Sequence, residues 1–264
     1  MAAGAHDPVA PAEIALAHEL ADAAGAIVRN YFRAVLKIDD KPDLTPVTIA
    51  DREAERAMRR LIKDAFPTHG IIGEEEGRER EGADSVWVLD PIDGTKNFIS
   101  GIPVFGTLIA LVRKGRPVIG VIDQPVLHER WIGIAGQKTT LNGTEIRARA
   151  CADLAHATLY ATSPDMFGGS DAAGFARLKS RVKLARFGAD CYAYAQLASG
   201  FIDLVVECDL KPYDFSALVP VIEGAGGAIV DWRGQALGLG SDGRVIACGD
   251  RRLLDAAKAA LAGG

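Results

Sequence analysis

The sequence predicts a protein of α+β and α/β class, with a largely antiparallel sheet in its first half and alternating strands and helices in its second half. Three observations support this prediction. Apolar residues recur at helical spacing near the N-terminus, short β-type segments fill residues 86 to 134, and strand-like segments alternate with helix-like segments after residue 143. No long linker or repeat divides the chain, so we expect residues 1–142 and 143–264 to form two halves of one compact unit.

Two amphipathic helices are predicted near the start of the chain. The first carries a periodic apolar face and ends near Phe32. Its apolar positions are Ile14, Ala17, Ala21, Ala24, Val28 and Tyr31. The apolar positions of the second helix are Ala54, Met58, Leu61, Ile62 and Ala65. Thr48 lies three residues before Asp51 in a capping arrangement, which places Asp51 near the start of the second helix.

The sheet of the first half is predicted from four short apolar segments, "VWVLD", "FGTLIALV", "PVIGVID" and "ERWIGIA", which are separated by turn-forming residues. In the second half, helices are predicted around residues 171 to 180, from about residue 190, from about residue 214 and at the C-terminus. They alternate with the strand-like segments "ATLYAT", "VKLARF", "FIDLVVE", "AIVDW" and "RVIACG". This alternation is typical of an α/β arrangement.

The composition limits the class of partner. With 264 residues, 48% of them hydrophobic, the chain can bury a sizeable core. The net charge of −5 gives no general electrostatic reason to bind nucleic acid or an anionic membrane. The four cysteines are widely spaced, with no histidine at metal-site spacing, which indicates reduced thiols rather than disulfides or a zinc site. No segment has the pattern of a signal peptide or a membrane span, so we expect a cytoplasmic protein without a membrane partner.

Two aspartates follow the first buried strand of the predicted sheet. Asp90 and Asp93 lie three residues apart around a proline turn, so both carboxylates can face one point, and two like charges that close need a cation. Gly94 permits a tight backbone approach, and Thr95 begins a helix whose unpaired N–H groups would hold an anion. The alternative is that the aspartates only form a turn and cap the helix, as most aspartates before a glycine do.

Two further acidic segments follow predicted strands. In "IIGEEEG" an apolar strand ends in glycine before Glu74, Glu75 and Glu76, although such a run is also typical of a solvated loop. Glu207 ends a later strand, and Asp214 starts the helix that follows it. Acids at the ends of three strands suit Mg²⁺, which takes a few carboxylates, water and substrate phosphate. We therefore predict a phosphate site that binds two or three magnesium ions.

The motifs "GEEEG", "WVLDPIDGTKNF", "VVE" and "YDF" followed by "EGAGG" together resemble the signature of the inositol monophosphatase family of magnesium-dependent, lithium-sensitive phosphatases. The resemblance covers nearly the whole chain, apart from about the first dozen residues. It implies a layered αβαβα sandwich of the inositol monophosphatase and fructose bisphosphatase type. It also implies a homodimer that acts on a small-molecule phosphate ester.

By this resemblance, four side chains and one backbone carbonyl should bind the magnesium ions. The side chains are those of Glu74, Asp90, Asp93 and Asp214, and the carbonyl is that of Ile92. Thr95 and Asp51 should orient and deprotonate the attacking water, and Glu74 should share the catalytic role. The backbone of Gly94 and Thr95 should receive the phosphate, and Glu75 should be a neighbouring polar support.

Asp190 suggests the substrate. It lies where an inositol monophosphatase has a small neutral residue, and with Glu207 it makes the specificity side of the pocket doubly acidic, beside Asp93. Such a pocket suits a leaving group with a positive ammonium or imidazolium and disfavours a second phosphate. The stretch "GADCYAYAQLASGFIDLVVE" resembles the histidinol-phosphate phosphatases of the family, which implies hydrolysis of L-histidinol phosphate in histidine biosynthesis. The alternative is that Asp190 only caps its helix.

Two other functions stay open. A general inositol or sugar monophosphatase would use Glu207 to meet substrate hydroxyls. A protein that acts mainly by interaction with RNA or the transcription machinery would find support in the basic segment "RLKSRVKLAR", residues 177–186. That segment is also typical of a solvated helix face followed by an edge strand, and the net negative charge favours this second interpretation.

Overall fold

The computed structural model describes residues 8–34, 38–40 and 46–263. Within these residues the α-helices are α1 (Pro11–Tyr31), α2 (Ile49–Ala65), α3 (Thr95–Ile99), α4 (Gly169–Lys179), α5 (Asp190–Ala198), α6 (Pro212–Phe215), α7 (Leu218–Gly224) and α8 (Arg252–Ala262). The strands are β1 (Ile38–Asp40), β2 (Pro46–Thr48), β3 (Gly70–Gly73), β4 (Gly77–Glu79), β5 (Ser85–Asp93), β6 (Gly106–Arg113), β7 (Arg116–Gln124), β8 (Glu129–Ile134), β9 (Thr140–Leu141), β10 (Thr144–Glu145), β11 (Thr158–Ala161), β12 (Leu184–Phe187), β13 (Leu204–Glu207), β14 (Ala228–Val230) and β15 (Val245–Cys248).

Helices α1 and α2 pack together on one face of the first sheet. Ala17, Ala21 and Ala24 are fully buried in this layer, as their helical spacing predicted. Their small side chains let α1 lie close to the strands, which contribute larger apolar residues such as Trp87 to the same cluster. Helix α1 ends at Tyr31, one residue before the predicted end.

The first sheet has the strand order β10-β9-β8-β7-β6-β5-β3-β4, and its pairs are antiparallel except for β3 with β5. The largely antiparallel sheet predicted from the sequence is therefore confirmed. Strand β4 turns back along one edge of β3, so β5 joins the opposite edge of β3, where the two strands run parallel. In this register Gly73 pairs with Leu89. The next residues along the two strands, Glu74 and Asp90, therefore lie side by side.

Strand β5 continues through Pro91, which we expected to form a turn. We expected the strand to end at Asp90, but it runs from Ser85 to Asp93, with a shift of register between Asp90 and Asp93. Pro91 lacks an N–H group and is tolerated at this irregularity, where its carbonyl accepts a hydrogen bond from Thr107 Oγ1 at 2.8 Å. Residues three apart in a regular strand face opposite sides, whereas the irregularity lets both carboxylates face the same side.

The second sheet has the order β12-β11-β13-β15-β14 and is mixed, because β11 runs parallel to β12 and β13 while the other pairs are antiparallel. Helices α5, α6 and α7 lie between the two sheets, where Val88 of the first sheet and Val205 of the second belong to one apolar cluster. Helices α4 and α8 pack together on the other face of the second sheet. The layers follow the order αβαβα, so the predicted layered sandwich is confirmed.

The helix predicted from about residue 214 is two short helices, α6 and α7, which are separated at Ser216 and Ala217. Pro220 explains the break, because proline is tolerated in the first turn of a helix and not in its interior. A helix that contains Pro220 must therefore begin shortly before it. Because α6 is a separate helix, its direction does not depend on that of α7, and α6 sets the orientation of Asp214.

Cys151, Cys191, Cys208 and Cys248 are buried and form no disulfide, so the predicted free thiols are confirmed. Burial raises the pKa of Cys208 and of Cys248 to about 11, which keeps both thiols protonated at neutral pH. Within residues 8–34, 38–40 and 46–263, no helix combines the length and the apolar character needed to cross a membrane.

Candidate active site

Three aspartates converge where β5 approaches α6. Asp90 and Asp93 lie at the irregular end of β5, and Asp214 reaches the same point from α6. One carboxylate oxygen of each lies within 4.8 Å of those of the other two. Asp90 is buried, and Asp93 and Asp214 are partly buried. The fold thus brings together three of the four side chains expected to bind magnesium.

Each of the three aspartates has one oxygen held by a backbone N–H group. The pairs are Ile92 N–H to Asp90 Oδ1 at 3.0 Å, Cys191 N–H to Asp93 Oδ2 at 2.6 Å, and Lys211 N–H to Asp214 Oδ2 at 2.7 Å. Hydrogen bonds to an ionised carboxylate are stronger than bonds between neutral groups. The orientation of each carboxylate is therefore set by the protein itself.

Burial and mutual repulsion raise the pKa of all three carboxyl groups. Desolvation is the largest cause for each, and the charge of Glu74 adds to it at Asp90 and Asp214. The charges of Asp190 and Asp214 add to it at Asp93. The pKa of Asp214 rises to about 7. A divalent cation would offset this repulsion, and carboxylate oxygens are the ligands that Mg²⁺ prefers.

Glu74 joins the cluster because β3 and β5 are parallel. Its N–H donates to Leu89 O at 3.2 Å, which places Glu74 beside Asp90. The charge of Glu74 raises the pKa of Asp90 further, as does a hydrogen bond that protonated Asp90 donates to the side chain of Glu74. The fourth expected metal ligand therefore lies at the same site. Glu75, the expected polar support, is held through its backbone, because its N–H donates to Glu55 Oε2 at 2.8 Å.

Asp51 caps α2 and also lies near the acidic cluster. Its Oδ2 accepts hydrogen bonds from Thr48 N–H at 2.8 Å and from Thr48 Oγ1 at 2.6 Å, which confirms the predicted capping arrangement. Its Oδ1 is buried and has no hydrogen-bond partner among the described residues. Burial, with the charge of Glu74, raises the pKa of Asp51 to about 6, although the bonds from Thr48 oppose this shift. A buried carboxylate oxygen without a donor fits a position beside a cation.

The turn after β5 has the geometry that its glycine allows. Gly94 has a φ of 86°, in the left-handed region that favours glycine, and α3 begins at Thr95. Thr95 Oγ1 donates to Ile92 O at 3.1 Å, so the expected catalytic hydroxyl and the expected metal-binding carbonyl are neighbours. In the part of the chain that the structure describes, no hydrogen bond joins Thr95 directly to Asp51, and their joint role stays a prediction.

Asp190 lies against this turn. A Cβ atom added to Gly94 would lie 3.2 Å from the side chain of Asp190, so the absence of a side chain at Gly94 makes room for the carboxylate. Asp190 has a φ of 44°, an uncommon conformation for a residue other than glycine that is often found at functional sites. Burial raises the pKa of Asp190, while hydrogen bonds to its side chain and the charge of Lys96 oppose the shift.

The carboxylate of Asp190 bonds to elements other than its own helix. Asn97 Nδ2 of α3 donates to Asp190 Oδ2, and Thr162 forms a second side-chain hydrogen bond with Asp190. At the start of α5 it is Asp93 that accepts the N–H of Cys191. These contacts favour a pocket role for Asp190 over the alternative role of a helix cap.

Glu207 is buried at the end of β13, and both of its oxygens have donors. Thr162 N–H donates to Oε1 at 2.6 Å, and Tyr194 Oη donates to Oε2 at 2.8 Å. Burial raises the pKa of Glu207, while these two hydrogen bonds oppose the shift. Glu207 therefore fixes the shape of this side of the pocket and also gives it negative charge.

A small cavity connects the converging aspartates with the second pair of acids, Asp190 and Glu207. Its volume is about 130 Å³, and its lining residues are Asp93, Thr162, Met166, Asp190, Cys191, Tyr194, Glu207, Leu210 and Asp214. Four of these residues are acidic, and none of them is lysine or arginine. A larger cleft of about 470 Å³, beside His18 and Arg130, contains none of the predicted site residues among those that line it. The chemistry of the smaller cavity, and not its size, marks it as the candidate site.

Neither Glu55 nor Asn97 was predicted as a site residue, and the bond from Tyr194 to Glu207 was not predicted. Glu55 has a signal in the sequence, because it lies one helical turn after Asp51 and so on the same face of α2. Asn97 lies within the "DGTKNF" motif, but its partner Asp190 is distant in sequence. The bond from Tyr194 to Glu207 joins a helix to a strand, and nothing in the sequence indicates it.

One cation of the basic segment at residues 177–186 forms hydrogen bonds within the fold, and the other four are exposed. Arg177 donates to Ala260 O at 3.0 Å and to Leu261 O at 2.8 Å, at the end of α8. The other cations of the segment, Lys179, Arg181, Lys183 and Arg186, are exposed. They lie on the last turn of α4, on the loop after it and on the edge strand β12.

Relatives match nearly the whole chain. The profile of the inositol monophosphatase family matches residues 11–262. The bifunctional phosphatase IMPL2, chloroplastic, of Arabidopsis thaliana is 57% identical over 223 residues, which cover 84% of this chain and 64% of that relative. The histidinol-phosphatase of Chlorobaculum parvum is 35% identical over 237 residues, which cover 89% of this chain and 92% of the relative.

A solved structure supports the fold independently. An inositol monophosphatase from Zymomonas mobilis has 49% sequence identity and superposes with a TM-score of 0.88. The match covers 95% of this chain and 97% of that chain. The layered αβαβα arrangement is therefore of the inositol monophosphatase type.

Proposed function

This chain belongs to the inositol monophosphatase family, and we propose that it is a magnesium-dependent phosphatase that hydrolyses L-histidinol phosphate to L-histidinol and phosphate, a step of histidine biosynthesis. Metal-dependent hydrolysis of a phosphomonoester follows from the family and from the aspartate cluster. The choice of L-histidinol phosphate as the substrate rests on the acidic cavity beside that cluster. The name of one relative, the histidinol-phosphatase of Chlorobaculum parvum, supports the same choice.

The residues present fit the metal that this function needs. Two or three magnesium ions would be held by Glu74, Asp90, Asp93, Asp214 and the carbonyl of Ile92. The fit rests on the convergence of the three aspartates and on the buried Asp51 Oδ1, which has no donor among the described residues. When bound, magnesium activates a water molecule and stabilises the leaving oxygen of an in-line displacement.

The protein's own residues would orient the water and hold the phosphate. With a pKa of about 6, Asp51 is mostly ionised at neutral pH and can accept the proton of the attacking water. Glu74, whose charge acts on Asp51, shares this role. Thr95 Oγ1, placed by its bond to Ile92 O, would orient the water. The backbone N–H groups of Gly94 and Thr95 would receive the phosphate.

Asp190 and Glu207 would bind the positively charged part of the substrate, with Asp93 lining the same cavity. A protonated amine would meet four carboxylates and no lysine or arginine among the lining residues. A second phosphate would meet repulsion there, which disfavours bisphosphates. Lys96 reduces this negative potential at Asp190, but it is exposed and does not line the cavity.

An inositol or general sugar monophosphatase is the second candidate. It would use the same metal site, and the similar solved structure from Zymomonas mobilis is named an inositol monophosphatase. In that case Glu207 would meet substrate hydroxyls, and Asp190 would act in the fold alone.

A substrate panel tests the proposal. Phosphate release with magnesium is measured for histidinol phosphate, inositol 1-phosphate, fructose 1,6-bisphosphate and a 3′-phosphoadenosine compound. We expect kcat/KM for histidinol phosphate to exceed the others by roughly 100-fold or more, because a buried charge pair is missing with each competitor. A higher value for inositol 1-phosphate would replace the proposed substrate and keep the metal site.

Activity on no member of the panel would favour the non-enzymatic alternative, an interaction protein for RNA or the transcription machinery. Its support is the set of exposed cations Lys179, Arg181, Lys183 and Arg186. Salt-dependent RNA binding that is lost when these residues are replaced by glutamine would establish it. The net charge of −5 argues against it.

The oligomeric state and the location are also proposals. We expect a homodimer from the family resemblance, and light scattering of the purified protein tests it. We expect the cytoplasm from the sequence, whereas the relative from Arabidopsis thaliana is named chloroplastic, so a tagged protein must be localised in its own cell.

A further inference from the structure

Glu55 is a fully buried acidic residue that the proposed reaction does not use. It lies on α2, one helical turn after Asp51, so the two carboxylates project from the same face of the helix. Asp51 lies near Glu74, and Glu55 contacts the turn that carries Glu74. One helix face therefore serves both a candidate catalytic group and the support of a candidate metal ligand.

The carboxylate of Glu55 binds the backbone of the turn at residues 74–76. Its Oε2 accepts the N–H of Glu75 at 2.8 Å, and its Oε1 accepts the N–H of Glu76 at 3.0 Å. Arg59 Nε donates to the same Oε1 at 2.7 Å, and Arg59 also donates to the carbonyl of Gly77. The buried pair of Glu55 and Arg59 thus holds the turn from α2 by charge-assisted hydrogen bonds.

The end of β3 is shaped to admit this carboxylate. A Cβ atom added to Gly73 would lie 2.0 Å from Glu55 Oε1, far inside van der Waals contact. The carboxylate of Glu55 therefore occupies the space that any side chain at Gly73 would need. Glu74 follows directly, so the backbone on both sides of the metal ligand is fixed by contact with Glu55.

We propose that Glu55 is a positioning residue that sets the affinity of the active site for divalent cations, by fixing the backbone of residues 74–76 and thereby the side chain of Glu74. The proposal rests on the metal dependence of the proposed function, and not on the identity of the substrate. Groups that orient metal ligands through hydrogen bonds typically account for about 10–100-fold in metal affinity.

Glu55→Gln tests the proposal with little change in volume. The amide leaves one acceptor oxygen and turns an NH₂ group toward N–H donors, so one bond to the turn is lost and a repulsive contact replaces it. We expect the dissociation constant for Mg²⁺, measured by calorimetry on the full chain, to rise roughly 10–100-fold. The Mg²⁺ concentration for half-maximal phosphate release from p-nitrophenyl phosphate should rise in parallel, with kcat at saturating Mg²⁺ restored to within a few-fold of the wild type.

Arg56→Gln is the matched control. Arg56 lies beside Glu55 on α2 and contacts the same turn, but through an exposed ion pair from its Nε to Glu76 Oε1 at 2.8 Å. Exposed ion pairs contribute little, so the Mg²⁺ affinity of this variant should equal that of the wild type. An unchanged dissociation constant in Glu55→Gln, with a lowered Tm alone, would show a purely structural role and overturn the proposal.

Arg59→Lys covers the case in which Glu55→Gln does not fold. Lysine keeps the charge but loses the planar fork that binds Glu55 and Gly77 together, so Mg²⁺ affinity should fall several-fold. Wild-type affinity in a folded Arg59→Lys protein would also contradict the proposal. Because p-nitrophenyl phosphate and calorimetry do not involve histidinol phosphate, failure of the proposed substrate would leave this result interpretable.

Discussion

The carboxylates of the metal cluster and those of the specificity side differ in how their oxygens are used. Asp90, Asp93 and Asp214 each have one oxygen held by a backbone N–H, and each offers an oxygen to a common point. Asp190 and Glu207 instead bond to side chains and backbone of neighbouring elements, and both oxygens of Glu207 have donors. In the first group the carboxylates face one another, so their negative charges repel. In the second group hydrogen-bond donors of the protein stabilise most of the negative charge.

This difference separates two roles for buried acids within one pocket. A cluster of mutually repelling carboxylates is stable in its ionised form only with a cation, so it indicates metal binding. A carboxylate that already has donors contributes a fixed negative potential and a fixed shape, so it suits recognition of a charged ligand. Changes in the metal cluster should therefore affect turnover, and changes on the specificity side should affect the choice of substrate.

The largest effect is expected for Asp93→Asn, which removes a charge from the metal cluster. Turnover with saturating Mg²⁺ should fall by on the order of 10³-fold, because an amide binds Mg²⁺ weakly and the site loses charge needed in the transition state. The fold should survive, since asparagine keeps an oxygen that can accept the N–H of Cys191. Steady-state kinetics and a thermal melt measure both outcomes, and a wild-type rate would show that the metal assignment is wrong.

The next effect concerns stability and pH in the metal-free protein. The pKa of Asp51 is raised from 3.8 to about 6 and that of Asp214 to about 7, so the folded state keeps protons that the unfolded chain releases. The associated stability is fully present below pH 3.8 and is lost as the pH rises through 6 and 7. The shift at Asp51 alone corresponds to about 3 kcal/mol.

Mg²⁺ should reverse this loss, because it binds the deprotonated carboxylates. We expect the rise in Tm on adding Mg²⁺ to be several degrees larger near pH 8 than near pH 5. Thermal melts with Mg²⁺ and with EDTA at the two pH values measure it. Equal Mg²⁺ effects at both pH values would contradict the interpretation of the cluster as a titrating metal site.

A smaller and more selective effect is expected for Asp190→Ala on the specificity side. KM for histidinol phosphate should rise roughly tenfold more than KM for p-nitrophenyl phosphate, because the charged leaving group loses a partner while kcat is nearly kept. Asp165→Ala is the control, since Asp165 is an exposed acid next to Met166, which lines the cavity. Equal changes in KM for both substrates would reduce Asp190 to a structural residue.

The residues of the metal cluster were predictable because each lies at the end of an apolar strand or at the start of a helix. The strand end at Gly73, the change of pattern at Asp90 and the helix start before Asp214 were visible in the sequence, although β5 continues to Asp93. Asp51 was visible only as a cap, and its proposed second role came from the family resemblance. The structure adds a physical reason for that role, the buried Oδ1 without a donor among the described residues.

The support of the site was not predictable in the same way. Glu55 acts on a turn that begins 19 residues later in the chain, at Glu74, and Asn97 reaches Asp190 from 93 residues away. The irregularity in β5 was also missed, because proline in a sequence indicates a turn more often than an irregular strand. Each of these features depends on which elements are neighbours in space.

By itself the sequence determined the α+β and α/β class, the two amphipathic helices and the acids at strand ends, since these depend on local patterns. The family resemblance carried by its motifs implied the layered αβαβα arrangement. Only the tertiary structure decided that β3 pairs in parallel with β5 and that the side chains of Asp90 and Asp93 face the same side. It also decided that both oxygens of Glu207 accept hydrogen bonds, whereas one oxygen of Asp214 is held by a backbone N–H group. The physical reason is that hydrogen bonds and charge repulsion act over a few ångströms in space. The sequence records the order of residues along the chain and leaves those short distances to the packing of the fold.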